Sequence, residues 1–343
     1  MNQGEKMYPL TNKTNSILYC GQAIPPGKTA LVPKEIAISL CDSVTFDGKR
    51  EYAIGLSLSK RRKKANECNS IMVSLPRRWD YLVHTLFMIS KIASKVEVFV
   101  DVDRDQVDVI DRLNINGVKI GKSYDVDEYY NLYSYKFKES KDRIHELGEV
   151  FGVRIHHEYD HFALPHDIKP SRKFNIDYVI APIANHKEYP MRSIKPATLT
   201  QLIDQLSRES KLIAVVDWVK RSIGTNKVIN ATGISQAHML DLILSARRGV
   251  ISVDSGIGYM AVLCRVPTVM IFSDVAARKR IHKTISPYYP LESDLPCVSR
   301  CCSDGMRKCE DDIINNDWPC TKTHNVSDIM LGVAAINAES ANV

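Results

Sequence analysis

The sequence has no apolar run long enough to cross a membrane and no strong excess of charge of either sign. No stretch approaches the roughly 18 uninterrupted apolar residues expected of a transmembrane helix. Residues 1–15 are polar, whereas a secretory signal peptide has an apolar core. These two absences predict a cytoplasmic protein. The net charge of +6 is mild, so the composition permits a polyanionic partner but does not require one.

The composition is that of an ordinary soluble globular protein. The 343 residues, 44% hydrophobic and 25% charged, are enough for two domains. The densest basic patch is the run KRRKK at residues 60–64. A solvated loop is the favoured interpretation of this run, and contact with nucleic acid or anionic lipid is the alternative.

Five of the nine cysteines lie close together near the C-terminus. They are Cys297, Cys301, Cys302, Cys309 and Cys320. In a chain expected to be cytoplasmic, such a cluster favours a metal site over a disulfide framework. Thiolates of Cys297, Cys301 or Cys302, Cys309 and Cys320 would suit one tetrahedral structural zinc or iron, and a loop of reduced cysteines is the alternative.

The patterning divides the chain into three regions. Residues 1–70 hold short extended runs and predict a small β-rich N-terminal addition. Residues 71–170 and 171–343 each alternate buried-type strands with helices, beginning with a strand at 71–75 and a helix at 81–93. The polar stretch 152–175 is the expected linker. Two successive βαβ blocks predict an α/β protein with two Rossmann-like domains facing one cleft.

Residues 250–272 form a strand, a polar turn, a short apolar helix and a second strand. The turn contains Asp254, Ser255, Gly256 and Gly258. Glycines let the backbone approach a ligand closely, and the free N–H groups at a helix start favour phosphate. The turn therefore predicts a phosphate or ribose site, although an ordinary βαβ crossover can contain the same turn.

Three features of the second block occur in a recognisable order. They are a loop with Lys187-Glu188-Tyr189-Pro190, the turn Thr232-Gly233-Ile234-Ser235 before a helix, and Asp254-Ser255-Gly256 followed by Ala261, Val266-Pro267 and an apolar strand. As a set they resemble the C-terminal half of the heptosyltransferase-type glycosyltransferases, family nine of that enzyme class. The resemblance covers about residues 71–335.

The first block is similar to the opening of the same family, which has a strand, an Arg-containing loop, a Gly-Asp pair and a Leu-rich helix. Here the loop ends in Trp79-Asp80, with Trp79 in place of the glycine. Tyr259 stands where the family usually has a histidine. An aromatic there, a β-rich N-terminal addition and a cysteine-bound iron finger ending in Cys-Thr-Lys, here Cys320-Thr321-Lys322, are similar to the bacterial autotransporter heptosyltransferases.

The resemblance implies a GT-B fold, a bacterial or phage enzyme and no catalytic metal. It implies inverting transfer of a heptose or heptose-like sugar from a nucleotide-diphosphate sugar to a hydroxyl of a glycan or protein. An ADP-sugar is the favoured donor, a UDP-sugar is the other option, and a homo-oligomer is compatible. Inverting transfer needs a base for the acceptor hydroxyl and positive charge for the departing diphosphate.

Asp80 is the candidate base, although an Asp before Tyr81 would also suit a helix N-cap. The expected donor contacts are Lys187 and then Arg192 on the diphosphate, Ser255, Gly256 and Gly258 on phosphate, Asp254 on the turn or the ribose, and Asp217 on the nucleoside. The four-thiolate finger, residues 297–320, would be structural, because a closed shell leaves no open position.

Three other interpretations stay open at this point. The acceptor could be a hydroxylated DNA base, which the basic run at residues 60–64 allows. The chain could instead be a non-catalytic nucleic-acid-binding protein that uses the cysteine cluster. A GT-B-fold epimerase is the third.

Overall fold

The computed structural model describes residues 64–341 with gaps, together with four short strands before them. The gaps are residues 122, 124–125, 134, 136–141, 157–159, 172, 185–191, 210–211, 224, 226, 274 and 294–324. Most of the basic run, Lys187 and the cysteine cluster therefore lie outside the described residues, and the predictions for them stay predictions.

The N-terminal strands are antiparallel. Strand β1 (Met7–Thr11) pairs with β4 (Thr29–Pro33), and β2 (Leu18–Tyr19) pairs with β3 (Ala23–Ile24). Residues 34–63, which complete the predicted β-rich addition, are not described, so the addition as a unit stays a prediction.

A first α/β unit follows. Its four strands are all parallel, in the order β7-β6-β5-β8. Its elements are β5 (Ser70–Ser74), α1 (Trp79–Ile92), β6 (Glu97–Asp101), α2 (Arg104–Leu113), β7 (Val118–Ile120), β8 (Glu128–Asn131) and α3 (Arg143–Phe151).

The second α/β unit has six parallel strands in the order β11-β10-β9-β12-β13-β14. Its elements are β9 (Ile176–Ala181), α4 (Pro196–Glu209), β10 (Ile213–Asp217), β11 (Ile229–Thr232), α5 (Gln236–Ser245), β12 (Ala246–Val253), α6 (Gly256–Leu263), β13 (Thr268–Phe272), β14 (Tyr288–Glu292) and α7 (Val326–Ser340). The predicted α/β fold with two parallel sheets is confirmed.

Both sheets start from their central strand and reverse direction once. The reversal falls between β5 and β8 in the first sheet and between β9 and β12 in the second. In open α/β sheets, ligands bind outside the carboxyl ends of the strands at this reversal point. The topology therefore predicts a ligand site at the segments that follow β5 and β12.

These two segments pack against each other. A Cβ on Gly256, the first residue of α6, would lie 2.6 Å from Trp79 Cβ and 2.7 Å from the Asp80 backbone nitrogen. Real Cβ atoms do not approach other atoms so closely, so glycine is what permits α6 to contact the first turn of α1. The two reversal points thus lie together, where the shared cleft is predicted, and one continuous apolar core includes side chains of both units.

Two elements of the second unit lack a clear sequence signal. Strand β14 is a half-exposed edge strand containing Pro290. Helix α7 packs Ile329, Val333 and Ile336 into the core of the second sheet. None of the helices in the described ranges is long and apolar enough to cross a membrane.

Candidate functional site

Two carboxylates and four guanidinium groups gather where the two reversal points meet. Asp80 comes from the first turn of α1, and Asp254 follows β12 directly. Charge coupling links both carboxylates to the arginines around them. The arginines are Arg78, Arg143, Arg192 and Arg280. These six groups, all among the residues that the structure describes, form what we call the charge cluster.

Asp80 is held by two arginines. Helix α1 begins at Trp79 with Arg78 as its N-cap residue, so Asp80 is not the N-cap. Arg78 donates to both carboxylate oxygens at 3.1 Å each, and Arg143 Nη1 lies 3.4 Å from Oδ2. Burial raises the pKa of Asp80, but the opposing charges of Arg143 and Arg78, with a smaller effect of Arg192, hold it below its usual value. Asp80 is therefore ionised at neutral pH and its side chain keeps 14% exposure.

Arg143 is the most deeply buried cation beside Asp80. It is the first residue of α3, and only 1% of its side chain is exposed. Its guanidinium carbon lies 5.2 Å from the ring centre of Tyr81 and 5.8 Å from that of Tyr259. A buried cation needs compensating charge, and Arg143 lowers the pKa of both Asp80 and Asp254.

Asp254 is more enclosed than Asp80, with 1% of its side chain exposed. Its Oδ1 accepts a hydrogen bond from the Tyr259 hydroxyl, and Arg192 Nη1 lies 3.4 Å from Oδ2. Burial raises the pKa of Asp254, and the charges of Arg192, Arg280 and Arg143 outweigh it and lower the pKa below its usual value. Tyr259 and Arg192 thus each face one oxygen of Asp254. The two predicted roles of Asp254, on the turn or on the ribose, stay predictions.

Tyr259 and His84 connect the two units. Both side chains are fully buried, and their rings meet edge to face with centres 4.6 Å apart. His84 Nδ1 lies 2.7 Å from the Asp80 carbonyl oxygen, and Nε2 lies 3.1 Å from that of Arg280. Burial, reinforced by Arg143, lowers the pKa of His84 to about 3, so the ring is neutral. Burial and Asp254 raise the pKa of Tyr259 well above 10, so its phenol stays protonated.

The predicted phosphate turn is built as a helix start. Helix α6 begins at Gly256, with Ser255 as its N-cap residue, and the Ser255 hydroxyl lies 3.0 Å from that of Ser252. A Cβ on Gly258 would lie 2.9 Å from Ser252 Cβ. Packing therefore accounts for both glycines, with Gly256 against α1 and Gly258 against β12. Their contact with phosphate stays a prediction that rests on the helix start.

Asp217 lies at the carboxyl end of β10 and pairs with Arg221. The next residue, Trp218, places its ring 4.6 Å from the ring of Trp79, so this strand end also reaches the cleft. Its predicted contact with the nucleoside stays a prediction. Among the residues that the structure describes, no group of three or more metal-ligating side chains comes together.

Sequence reasoning found part of this cluster. Asp80, Arg192 and Asp254 were predicted and lie together. Arg143 and Arg280 were missed, because neither belongs to a motif near the predicted turns. A weak signal existed for Arg78, which stands in the Arg-containing loop before Asp80.

Several solved structures that are similar in fold to this chain are glycosyltransferases. One is the iron-containing dodecameric glycosyltransferase TibC of enterotoxigenic E. coli H10407, with a TM-score of 0.57, 14% identity, and coverage of 77% of this chain and 75% of that chain. A complex of TibC with ADP-D-beta-D-heptose, described as a heptosyltransferase, has a TM-score of 0.57 and 14% identity. The match covers 82% of this chain and 79% of that chain. A glycosyltransferase of family 9 from Veillonella parvula DSM 2008 has a TM-score of 0.54 and 11% identity, and the match covers 79% of this chain and 97% of that chain.

At these identities the likeness is one of fold. The resemblance inferred from the sequence motifs is confirmed at that level, and it includes the heptosyltransferase TibC. No protein-family model and no curated protein matches the sequence.

Proposed function

We propose that this chain is an inverting glycosyltransferase that moves a heptose or heptose-like sugar from an ADP-sugar to a hydroxyl of a glycan or protein. The observation that carries the proposal is the charge cluster at the cleft. Its four guanidinium groups supply the kind of positive charge that a leaving diphosphate needs. Preorganised positive charge in a water-poor site stabilises a departing anion strongly.

Asp80 is the proposed base. As the acceptor oxygen bonds to the sugar, the bond from the sugar to the diphosphate breaks, and the acceptor proton passes to the Asp80 carboxylate. In the free protein Arg143 and Arg78 keep Asp80 weakly basic. When the diphosphate binds, its negative charge offsets those cations, and the pKa of Asp80 should rise toward the range of a useful base.

The donor side would be formed by the second unit. Arg192 and Arg280 lie at its reversal point, and the start of α6 faces the same cleft. Lys187 and Asp217 complete the proposed donor contacts, on diphosphate and nucleoside. The choice of an ADP-sugar is supported by the fold shared with TibC, whose solved complex contains ADP-heptose.

Two further proposals rest on the same likeness. TibC is dodecameric and contains iron, so we propose a homo-oligomer here, with iron, or zinc, at Cys297, Cys301 or Cys302, Cys309 and Cys320. A four-thiolate donor set suits either metal and leaves no open position, so the site would stabilise structure. Within the described part, the organised charges are buried in the cleft, which favours sugar transfer over nucleic-acid binding.

The test is transfer from ADP-heptose by wild type and Asp80→Asn, with donor binding measured by calorimetry. Removing the base should slow transfer about a thousandfold and leave the donor Kd within a few-fold. Asp177→Asn is the matched control. Asp177 is also nearly buried and is paired with an arginine, Arg247, at 2.6 Å. It lies at the N-terminal end of β9, whereas the charge cluster lies beyond the carboxyl ends of the strands.

Two outcomes would count against the proposal in different ways. Wild-type rates for Asp80→Asn would overturn the base assignment alone. If the wild-type protein neither binds nor uses any ADP-sugar, the proposed function itself fails.

A further inference from the structure

We propose that Tyr259 is a positioning residue for the donor site: its hydroxyl fixes the Asp254 carboxylate, which in turn orients the Arg192 guanidinium toward the diphosphate. This inference rests on the proposed function. It explains why a fully buried tyrosine stands immediately behind the signature turn, five residues after Asp254.

The two carboxylate oxygens of Asp254 contact different side chains. Tyr259 donates to Oδ1, and Arg192 faces Oδ2 at 3.4 Å. The terminal torsion of an aspartate is broad and nearly two-fold, so a carboxylate with one mobile partner can turn. A hydrogen bond from a rigid phenol removes that freedom. Oδ2 is thereby kept facing Arg192.

The hydrogen-bond donor to Asp254 is the neutral phenol of Tyr259. The Tyr259 phenol remains protonated because burial and the nearby carboxylate raise its pKa well above 10. A neutral donor holds Asp254 without cancelling its charge, so the full charge remains for Arg192. A cation in this position would compete with Arg192 for the same carboxylate.

The ring of Tyr259 is held in place by side chains of the first unit. The Tyr259 ring packs edge to face against His84 of α1, and the guanidinium of Arg143 lies 5.8 Å from its centre. Both contacts come from the first unit, whereas Asp254 and Arg192 belong to the second. The orientation of the donor-site arginine therefore depends on contact between the two units, and Tyr259 is the side chain that transmits this dependence.

Tyr259→Phe is the direct test, because it keeps the ring contacts and removes only the hydroxyl. Loss of a hydrogen bond to a buried charge should raise the ADP Kd and the donor KM about tenfold, while the acceptor KM and the kcat at saturating donor change less than about threefold. Tyr178→Phe is the matched control. Tyr178 is equally buried, and its hydroxyl accepts a hydrogen bond from Asn337 at 2.7 Å, away from the cleft.

A double-mutant cycle separates positioning from general stability. Asp254→Asn combined with Tyr259→Phe should bind ADP no more weakly than Asp254→Asn alone, since both changes break one chain of contacts. Tyr259→His, which retains a ring with an N–H donor, should bind ADP more tightly than Tyr259→Phe. This variant provides the rescue and also covers the case in which Tyr259→Phe does not fold.

The outcomes divide cleanly. An unchanged ADP Kd in Tyr259→Phe, additive effects in the cycle, or no gain from histidine over phenylalanine would each overturn the positioning role. Equal weakening by Tyr178→Phe would do so as well, by making the effect one of stability. If wild type does not bind ADP, it is the proposed function that fails.

Discussion

Asp80 and Asp254 both lie near the strand reversal of their α/β unit, yet their surroundings differ. Each follows the strand at which its sheet reverses, and each is paired with arginine. Asp80 keeps 14% exposure and one partner, Arg78, that is 42% exposed. The side chains of Asp254 and its partner Arg192 are almost fully buried, with 1% and 4% of their surface exposed. We therefore expect the more open carboxylate to meet an incoming hydroxyl, as proposed for Asp80, and the enclosed one to hold its neighbours.

A sequence motif can locate a carboxylate, but only the structure shows how far that carboxylate is buried. Both aspartates were found in the sequence at strand ends, where α/β proteins place polar groups. Nothing in the sequence ranked their exposure. The variants below test whether the two aspartates differ as their burial implies, beginning with the largest expected effect.

The sharpest contrast is between Asp80→Asn and Asp254→Asn. Asp80→Asn should cost about a thousandfold in kcat with the donor KM little changed. Asp254→Asn should instead raise the donor KM and lower the free energy of unfolding by about 3 kcal/mol, because it removes a buried carboxylate that is paired with a buried arginine. Steady-state kinetics and urea unfolding of both variants provide the comparison. Matching kinetic signatures would show that the two carboxylates share one role.

Gly256→Ala tests the contact that brings the two carboxylates to one cleft. Its Cβ would meet the backbone of α1, which cannot move aside, so unfolding should become easier by about 2 to 3 kcal/mol. Gly258→Ala meets mainly the Ser252 side chain and should cost about 1 kcal/mol. Thermal or urea unfolding measures both, and equal costs would mean that the contact between units is not tight.

His84 offers a pH test of the buried junction. A histidine in the unfolded chain binds a proton below about pH 6.5, whereas the folded ring stays neutral down to about pH 3. Stability should therefore fall as the pH drops from 6.5 toward 5, by up to about 1.4 kcal/mol per pH unit. His84→Gln should flatten this slope in urea unfolding at several pH values. An unchanged slope would show that another group causes it.

Arg78→Lys should have the smallest effect. The Arg78 pair is partly exposed, and such pairs contribute about 0.2 to 1 kcal/mol, so transfer should slow only about two- to threefold. Arg143→Lys, at the buried partner of the same carboxylate, should slow it more, because lysine cannot replace a buried planar guanidinium. Equal effects of the two changes on kcat would show that burial does not rank the partners of Asp80.

The sequence predicted the frame of the fold and half of the charge cluster. Buried strands such as β13 are nearly continuous apolar runs, which are easily recognised in the sequence. Strand β8 lies in a tyrosine-rich stretch whose pattern is ambiguous, and β14 tolerates a proline only because it is at the sheet edge. Local patterning carries little information about such strands.

The missed arginines have a different cause. The burial of Arg143 and Arg280 is set by carboxylates that are distant in sequence and meet them only after folding. A buried arginine has no periodicity or spacing of its own. Similarly, the two glycines of the signature turn suggested ligand contact, and the structure shows that their space is taken by α1 and β12.

The arginines of the charge cluster are proposed to receive the diphosphate of the donor. Calorimetric titration of the wild-type protein with ADP and with AMP measures this directly. ADP should bind at least tenfold more tightly, since only ADP has a second phosphate to pair with the arginines. Equal affinities for ADP and AMP, or no binding of either, would contradict it.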